Sequence, residues 1–266
     1  MYSFAQTVKK EFLVLYKFRW VTYSFVSSNL KMRYKRSVIG IFWSMLGPAL
    51  NYLIMGLVFS LLAKNSMPNY FAYLFSGAAF YNLMAAVINN GPYVFIHNEG
   101  YIKKIYLPKS LFVVNLVLME TINFMFSVGT LLLLGLIFNQ YELSLSWLIL
   151  PFVVLFAILF VFGLACILGV TCVYFRDINH ILPLVMQASF FATPILYAVE
   201  ALPENYQKLV RLNPFYYFVE TFRSPIFLGQ LPPLSDLGIV IGLSLLSFVI
   251  GLIVLKLFDN KIIFKL

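Results

Sequence analysis

Charge is scarce in this sequence. Asp, Glu, Lys and Arg make up only 11% of the 266 residues, where soluble domains carry about 25%. Acid is scarcer than base: ten Asp and Glu stand against nineteen Lys and Arg, for a net charge of +9. Hydrophobic residues fill 62% of the chain and mean hydropathy is +0.90. A globule of this length lacks the interior to bury so much apolar surface, so the excess faces lipid and the chain is an integral membrane protein. The only two cysteines, Cys166 and Cys172, share one apolar run. That excludes a disulfide scaffold and leaves them as small hydrophobes. No glycine is followed by lysine, so the phosphate-binding loop G-x-x-x-x-G-K is absent and ATP is not bound here by that device. H-E-x-x-H and G-x-S-x-G are absent too. His97 and His180 are far apart in sequence and read as solvated or capping histidines rather than a metal pair.

What is present is long uncharged runs. A transmembrane helix needs about 20 apolar residues to cross a hydrocarbon core of about 30 Å. The gaps between charges predict six, near 38–62, 71–90, 110–138, 147–174, 181–199 and 237–257. The runs lack the alternation of a membrane β-barrel strand, and backbone in lipid can close its own hydrogen bonds only as helix. The expected fold class is all-α: a six-helix transmembrane domain over 38–257, an amphipathic interface helix within 1–37 and a cytoplasmic tail over 258–266. The first 37 residues mix eight Lys and Arg with Phe4, Phe12, Trp20 and Phe25. They read as a helix on a membrane surface, without the apolar core or cleavage site of a signal peptide. With the N-terminus inside, inner segments hold fifteen Lys and Arg and outer segments four, which predicts cytoplasmic termini. Anionic lipid headgroups account for the positive face without nucleic acid.

The connecting segments are distinctive. Residues 91–109 are too polar to cross and too apolar for a free linker, which suits a short helix docking on a cytoplasmic partner. In the turn after span four, Arg176 suits a helix C-terminus and Asp177 the next N-cap. The outer segment 200–236 holds an aromatic stretch too short to span, read as an interfacial or re-entrant helix. Pro183 and Pro194 predict a kinked or broken span five. Glu120 is the one acid inside a span, either a functional carboxylate or a hydrogen-bonded pin between helices. Met45, Ala49, Tyr52, Gly56 and Phe59 form a stripe on span one, and Phe190 and Tyr197 share a face of span five. Such aromatic faces suit the route of a sugar ring, and they equally suit core or lipid contact.

Four segments then carry a family resemblance. They are Leu30-Lys31-Met32-Arg33-Tyr34-Lys35-Arg36-Ser37 running on through Phe42 and Trp43 to Pro48; Ile102 to Lys109; Tyr174-Phe175-Arg176-Asp177-Ile178 followed by Ala192-Thr193-Pro194 and Leu202-Pro203-Glu204; and Asn213-Pro214. In this order they resemble the membrane subunit of ABC-2-type polysaccharide exporters, the O-antigen, capsule and teichoic-acid permeases of the bacterial cytoplasmic membrane. The resemblance implies a permease without its own ATPase site or cofactor. ATP and Mg would sit on two separate nucleotide-binding subunits, and two copies of this chain would form the channel. The segment 94–106 would be the coupling helix, meeting the ATPase through Asn98, Glu99, Tyr101, Lys103 and Lys104, with Arg176 and Asp177 as a second contact. The substrate would be an undecaprenyl-linked polysaccharide, its pyrophosphate drawn to Arg33, Lys35 and Arg36. Phe42, Trp43, Tyr52, Phe59, Phe190 and Tyr197 would line its path, and 200–236 would form an outer gate. An ABC-2 drug or small-lipid exporter, or an ion-coupled carrier working through Glu120, stays open as an alternative.

Overall fold

Uncharged runs fold as helix because helix alone satisfies their backbone groups without water. A computed structural model describes residues 13, 15–35, 37, 39–62, 69–137 and 144–266. Among these the chain is all-helical, with short 3-10 turns and no strand. Helix α1 covers Arg19–Tyr34 and α2 Trp43–Leu62, entered through a 3-10 turn at Gly40–Phe42. Then come α3 (Tyr70–Asn90), two short helices α4 (Tyr93–Ile96) and α5 (Glu99–Lys104), and α6 (Lys109–Ile137). A 3-10 turn at Leu145–Ile149 opens α7 (Leu150–Tyr174). The chain closes with α8 (Ile178–Ala192), α9 (Glu204–Val210), α10 (Pro214–Phe227) and α11 (Leu234–Lys265).

Four helices are long and apolar enough to cross a membrane: α3, α6, α7 and α11. The remaining two expected spans, α2 and α8, are shorter apolar helices. Helix α8 has 15 residues, about 22 Å of rise, and ends at Ala192 rather than near 199. The cause is Pro194, which drives the preceding residue out of the helical region; Thr193 is extended, at φ −93° and ψ 135°. Pro183, by contrast, sits inside α8 without ending it. Helix α11 runs through the expected tail to Lys265.

The core is built around α3, which buries fifteen residues and touches α2, α6, α7, α8 and α10. Its Phe80 stacks on Phe222 of α10 at 4.3 Å and meets Phe124 of α6 edge-on at 5.7 Å. Its Tyr81 hydroxyl donates to the Met186 carbonyl of α8 at 2.6 Å. The most extensive helix pair is α7 with α11. Small residues permit that approach, as in membrane helix pairs generally: a Cβ on Gly163 would strike the Ser247 backbone, and one on Gly251 the backbone of Gly163. Ser247 adds a hydroxyl bond to the Phe160 carbonyl at 2.8 Å.

Helix α1 leans along α6 instead of lying across the end of the bundle. Phe25 meets Phe112 at 6.1 Å, and Arg33 reaches Asn123 at 3.0 Å. Those two α6 positions are three turns apart, about 16 Å.

Candidate functional site

The wall of α6 facing α1 and the α4–α5 segment encloses a cavity of about 700 Å³. Ser28, Asn29 and Arg33 line it from α1, Tyr93, Asn98 and Tyr101 from the α4–α5 segment, and Asn115 and Glu120 from α6. Arg33 and Glu120 do not touch directly. Arg33 Nη1 donates to Asn123 Oδ1 at 3.0 Å, and Asn123 Nδ2 donates to Glu120 Oε2 at 2.9 Å. One amide thus links a guanidinium and a carboxylate over two helices. Its two ends match the two charge types, because an amide offers both a donor and an acceptor. Glu120 is thus a hydrogen-bonded carboxylate tied to Arg33 through Asn123. Lys35 is exposed on the chain just after α1; Arg36 lies outside the described residues.

The segment between α3 and α6 forms two short helices joined through Asn98, whose side-chain amide donates to the Val94 carbonyl at 2.8 Å. Glu99 and Lys103 pair at 2.6 Å along one face of α5, each about 44% exposed. Tyr101 packs edge-on against Phe25 of α1 at 5.1 Å, which ties the segment to α1. Lys104, Ile105 and Tyr106 are exposed, Tyr106 almost completely. At the α7–α8 turn, Arg176 and Asp177 are exposed. Asp177 occupies the N-cap position of α8 without a side-chain capping bond. Beside it Asn179 Oδ1 accepts from the Cys172 thiol at 2.9 Å.

The aromatic residues expected to line one path are dispersed. Phe42 and Trp43 are exposed at the start of α2. Tyr52 is 3% exposed, held edge-on against Phe75 of α3 at 4.4 Å, with its hydroxyl accepting from the Asn82 amide. In the single chain it serves the α2–α3 contact and presents no hydroxyl to a channel. The Phe59 side chain lies outside the described residues. Phe190 packs on Tyr81 at 5.4 Å. Tyr197 is not on its helix face, because the chain has left α8 by then; it lines a groove with Tyr206 and Asn213 below α9.

Arg223, one of the four outer Lys and Arg in the charge count, is the largest fully buried side chain among the described residues. It pairs with Glu220 at 3.1 Å and lies under the Tyr73 ring. A Glu and an Arg three residues apart inside an aromatic run was the available signal.

Among the described residues no cluster of three His, Cys, Asp or Glu could hold a metal. The fold and sites describe a polytopic helical membrane protein that leaves polar segments for other molecules to engage. Residues 21–227 match the ABC-2 type transporter family, and the chain belongs to that family. Among curated proteins it is 30% identical over 206 residues to an O-antigen export system permease protein RfbA of Klebsiella pneumoniae, covering 77% of this chain and 79% of the relative. A Myxococcus xanthus protein of the same name is 26% identical over 234 residues, 86% of this chain and 89% of the relative. The polysialic acid transport protein KpsM of Escherichia coli is 20% identical over 212 residues, 76% and 80% respectively.

Proposed function

We propose that this chain is the membrane subunit of an ATP-driven exporter that moves a lipid-linked polysaccharide across the bacterial cytoplasmic membrane. The observation that supports this most is the likeness to permeases named for O-antigen export, spread over 77% to 86% of the chain. The missing phosphate loop agrees with it, since ATP and Mg then belong to a separate subunit. Two copies form the channel, and two ATPase subunits dock on the α4–α5 segment and the Arg176–Asp177 turn. Both termini face the cytoplasm, as the Lys and Arg asymmetry requires. Arg33, Lys35 and Arg36 attract the diphosphate of the lipid carrier. The exposed Phe42 and Trp43, with Phe190 and Tyr197, face the glycan, and the α9–α10 segment forms the outer gate.

The test is a mild-detergent pull-down of the chain from its native membrane, paired with a surface-glycan assay in a deletion strain. A near-stoichiometric partner carrying G-x-x-x-x-G-K, together with loss of surface glycan, is the expected result. An intact oligomer without any ATPase partner would overturn the exporter reading and favour an ion-coupled carrier.

A further inference from the structure

We infer that the cavity between α1, the α4–α5 segment and α6 is a binding site for a neutral sugar ring, and that it takes the first sugars of the transported glycan while leaving the carrier's diphosphate outside. The inference rests on the exporter reading above and adds a location and a chemical preference to it.

Size comes first. At about 700 Å³ the cavity falls within the range of small-molecule sites. Its lining comes next. Four asparagines, Asn29, Asn90, Asn98 and Asn115, line it from four different segments, and an amide both donates and accepts. Hydroxyl groups of a pyranose do the same, so each can be matched twice. Tyr93 and Tyr101 add aromatic faces for the C–H surface of a ring.

Charge decides between sugar and phosphate. Arg33 is exposed and spends one of its five donors on Asn123, whose amide is shared with Glu120. A diphosphate drawn into the cavity would meet the Glu120 carboxylate, whereas the exposed Arg33 keeps donors free to hold it outside. Asn115 adds an independent observation. Its side chain is 7% exposed, it lines the cavity, and its Oδ1 has no hydrogen-bond partner among the described residues. Buried acceptors are nearly always paired, and a turn of the Asn115 amide toward the cavity lets an occupant there supply the missing donor. A sugar hydroxyl or acetamido N–H supplies one. An ionised phosphate carries only acceptors and supplies none.

The test uses the full-length chain in lipid nanodiscs and equilibrium binding of defined probes: bare undecaprenyl diphosphate, and the same lipid carrying one N-acetylglucosamine, one N-acetylgalactosamine or one galactose. At least one sugar-bearing lipid is expected to bind tenfold or more tighter than the bare lipid. Asn115→Leu, and separately Asn29→Ala on the opposite wall, are expected to reduce that ratio about fivefold to tenfold, the worth of one or two hydrogen bonds. Affinity for the bare lipid stays within about twofold in both variants. Equal affinity of the wild type for bare and for all three sugar-bearing lipids would overturn the inference while leaving the exporter reading intact. So would a ratio that neither variant changes. Failure to bind any of the four lipids would remove the exporter reading and this site with it.

Discussion

The guanidinium carbon of Arg223 lies 3.8 Å from the centre of the Tyr73 ring, inside the contact between α10 and α3. Arg223 is 1% exposed and pairs with a Glu220 that is 26% exposed. Its Nε and Nη2 have no hydrogen-bond partner among the described residues. Gly77 of α3 leaves the space, since a Cβ there would collide with Nη2. An aromatic face, one carboxylate and one missing side chain therefore hold a buried cation between a short helix and the central span.

That arrangement predicts an asymmetry. Glu220→Ala strips the buried cation of its carboxylate and is expected to destabilise by about 3 kcal/mol, the usual penalty for breaking a buried pair from one side. Arg223→Met with Glu220→Gln removes both charges and keeps the volume, so it is expected to cost less than half as much. Gly77→Ala displaces the guanidinium and should match the single break. Thermal unfolding of the detergent-solubilised protein checks the order. A double variant no more stable than Glu220→Ala would show that the charge pair is not what holds α10 to α3.

Much of this architecture is legible in the sequence, for a physical reason. Lipid-facing segments must exclude charge, so the gaps between charges marked all six apolar helices. Pro194 was visible as a breaker because a proline constrains its predecessor whatever the tertiary context. Tyr52 was not legible. Span one is apolar all round, so periodicity finds a stripe but not which neighbour covers it. Arg33 was chosen for phosphate chemistry, and its partner Asn123 lies ninety residues away, where no local pattern points. Gly77 was invisible because only the folded chain brings Arg223 against it.

Tyr52 yields the second prediction. Tyr52→Phe removes the bond from Asn82 and is expected to cost about 1 kcal/mol, while Tyr52→Ala leaves a cavity beside Phe75 worth about 3–5 kcal/mol. Tyr197→Ala, outside any helix, should change stability far less. Melting curves and surface-glycan levels measured together separate the roles. An export defect in Tyr52→Phe with an unchanged melting curve would return that hydroxyl to the substrate path.

The third concerns the junction of α6 and α11. Lys109 is 8% exposed and pairs at 2.6 Å with Asp259, which is 47% exposed. Asp259→Ala leaves a nearly buried ammonium unpaired and is expected to destabilise by about 1–3 kcal/mol. Lys109→Met leaves only a solvated carboxylate and should be close to neutral. Protease resistance of the C-terminal part of α11 in membranes is the readout. Equal loss in both variants would mean the stem of Lys109, rather than its charge, secures the contact.

The last prediction bears on coupling, and its value lies in separating stability from function. The Glu99–Lys103 pair is exposed on α5 at helical spacing, and such pairs contribute about 0.3–0.5 kcal/mol. Reversing either charge, Glu99→Arg or Lys103→Glu, should therefore leave insertion and melting temperature almost unchanged. If the ATPase subunits dock on this face, the same reversals put like charge against the partner surface. ATP hydrolysis should then continue at its basal rate without stimulation, and export should fall at least tenfold. The exchange variant, Glu99→Lys with Lys103→Glu, restores the pair within α5 but not the pattern presented outward. It should remain uncoupled if the partner reads the charges and recover if α5 merely needs its own ion pair. Full export by that variant would therefore move the docking contact off α5 and leave the Arg176–Asp177 turn to carry it.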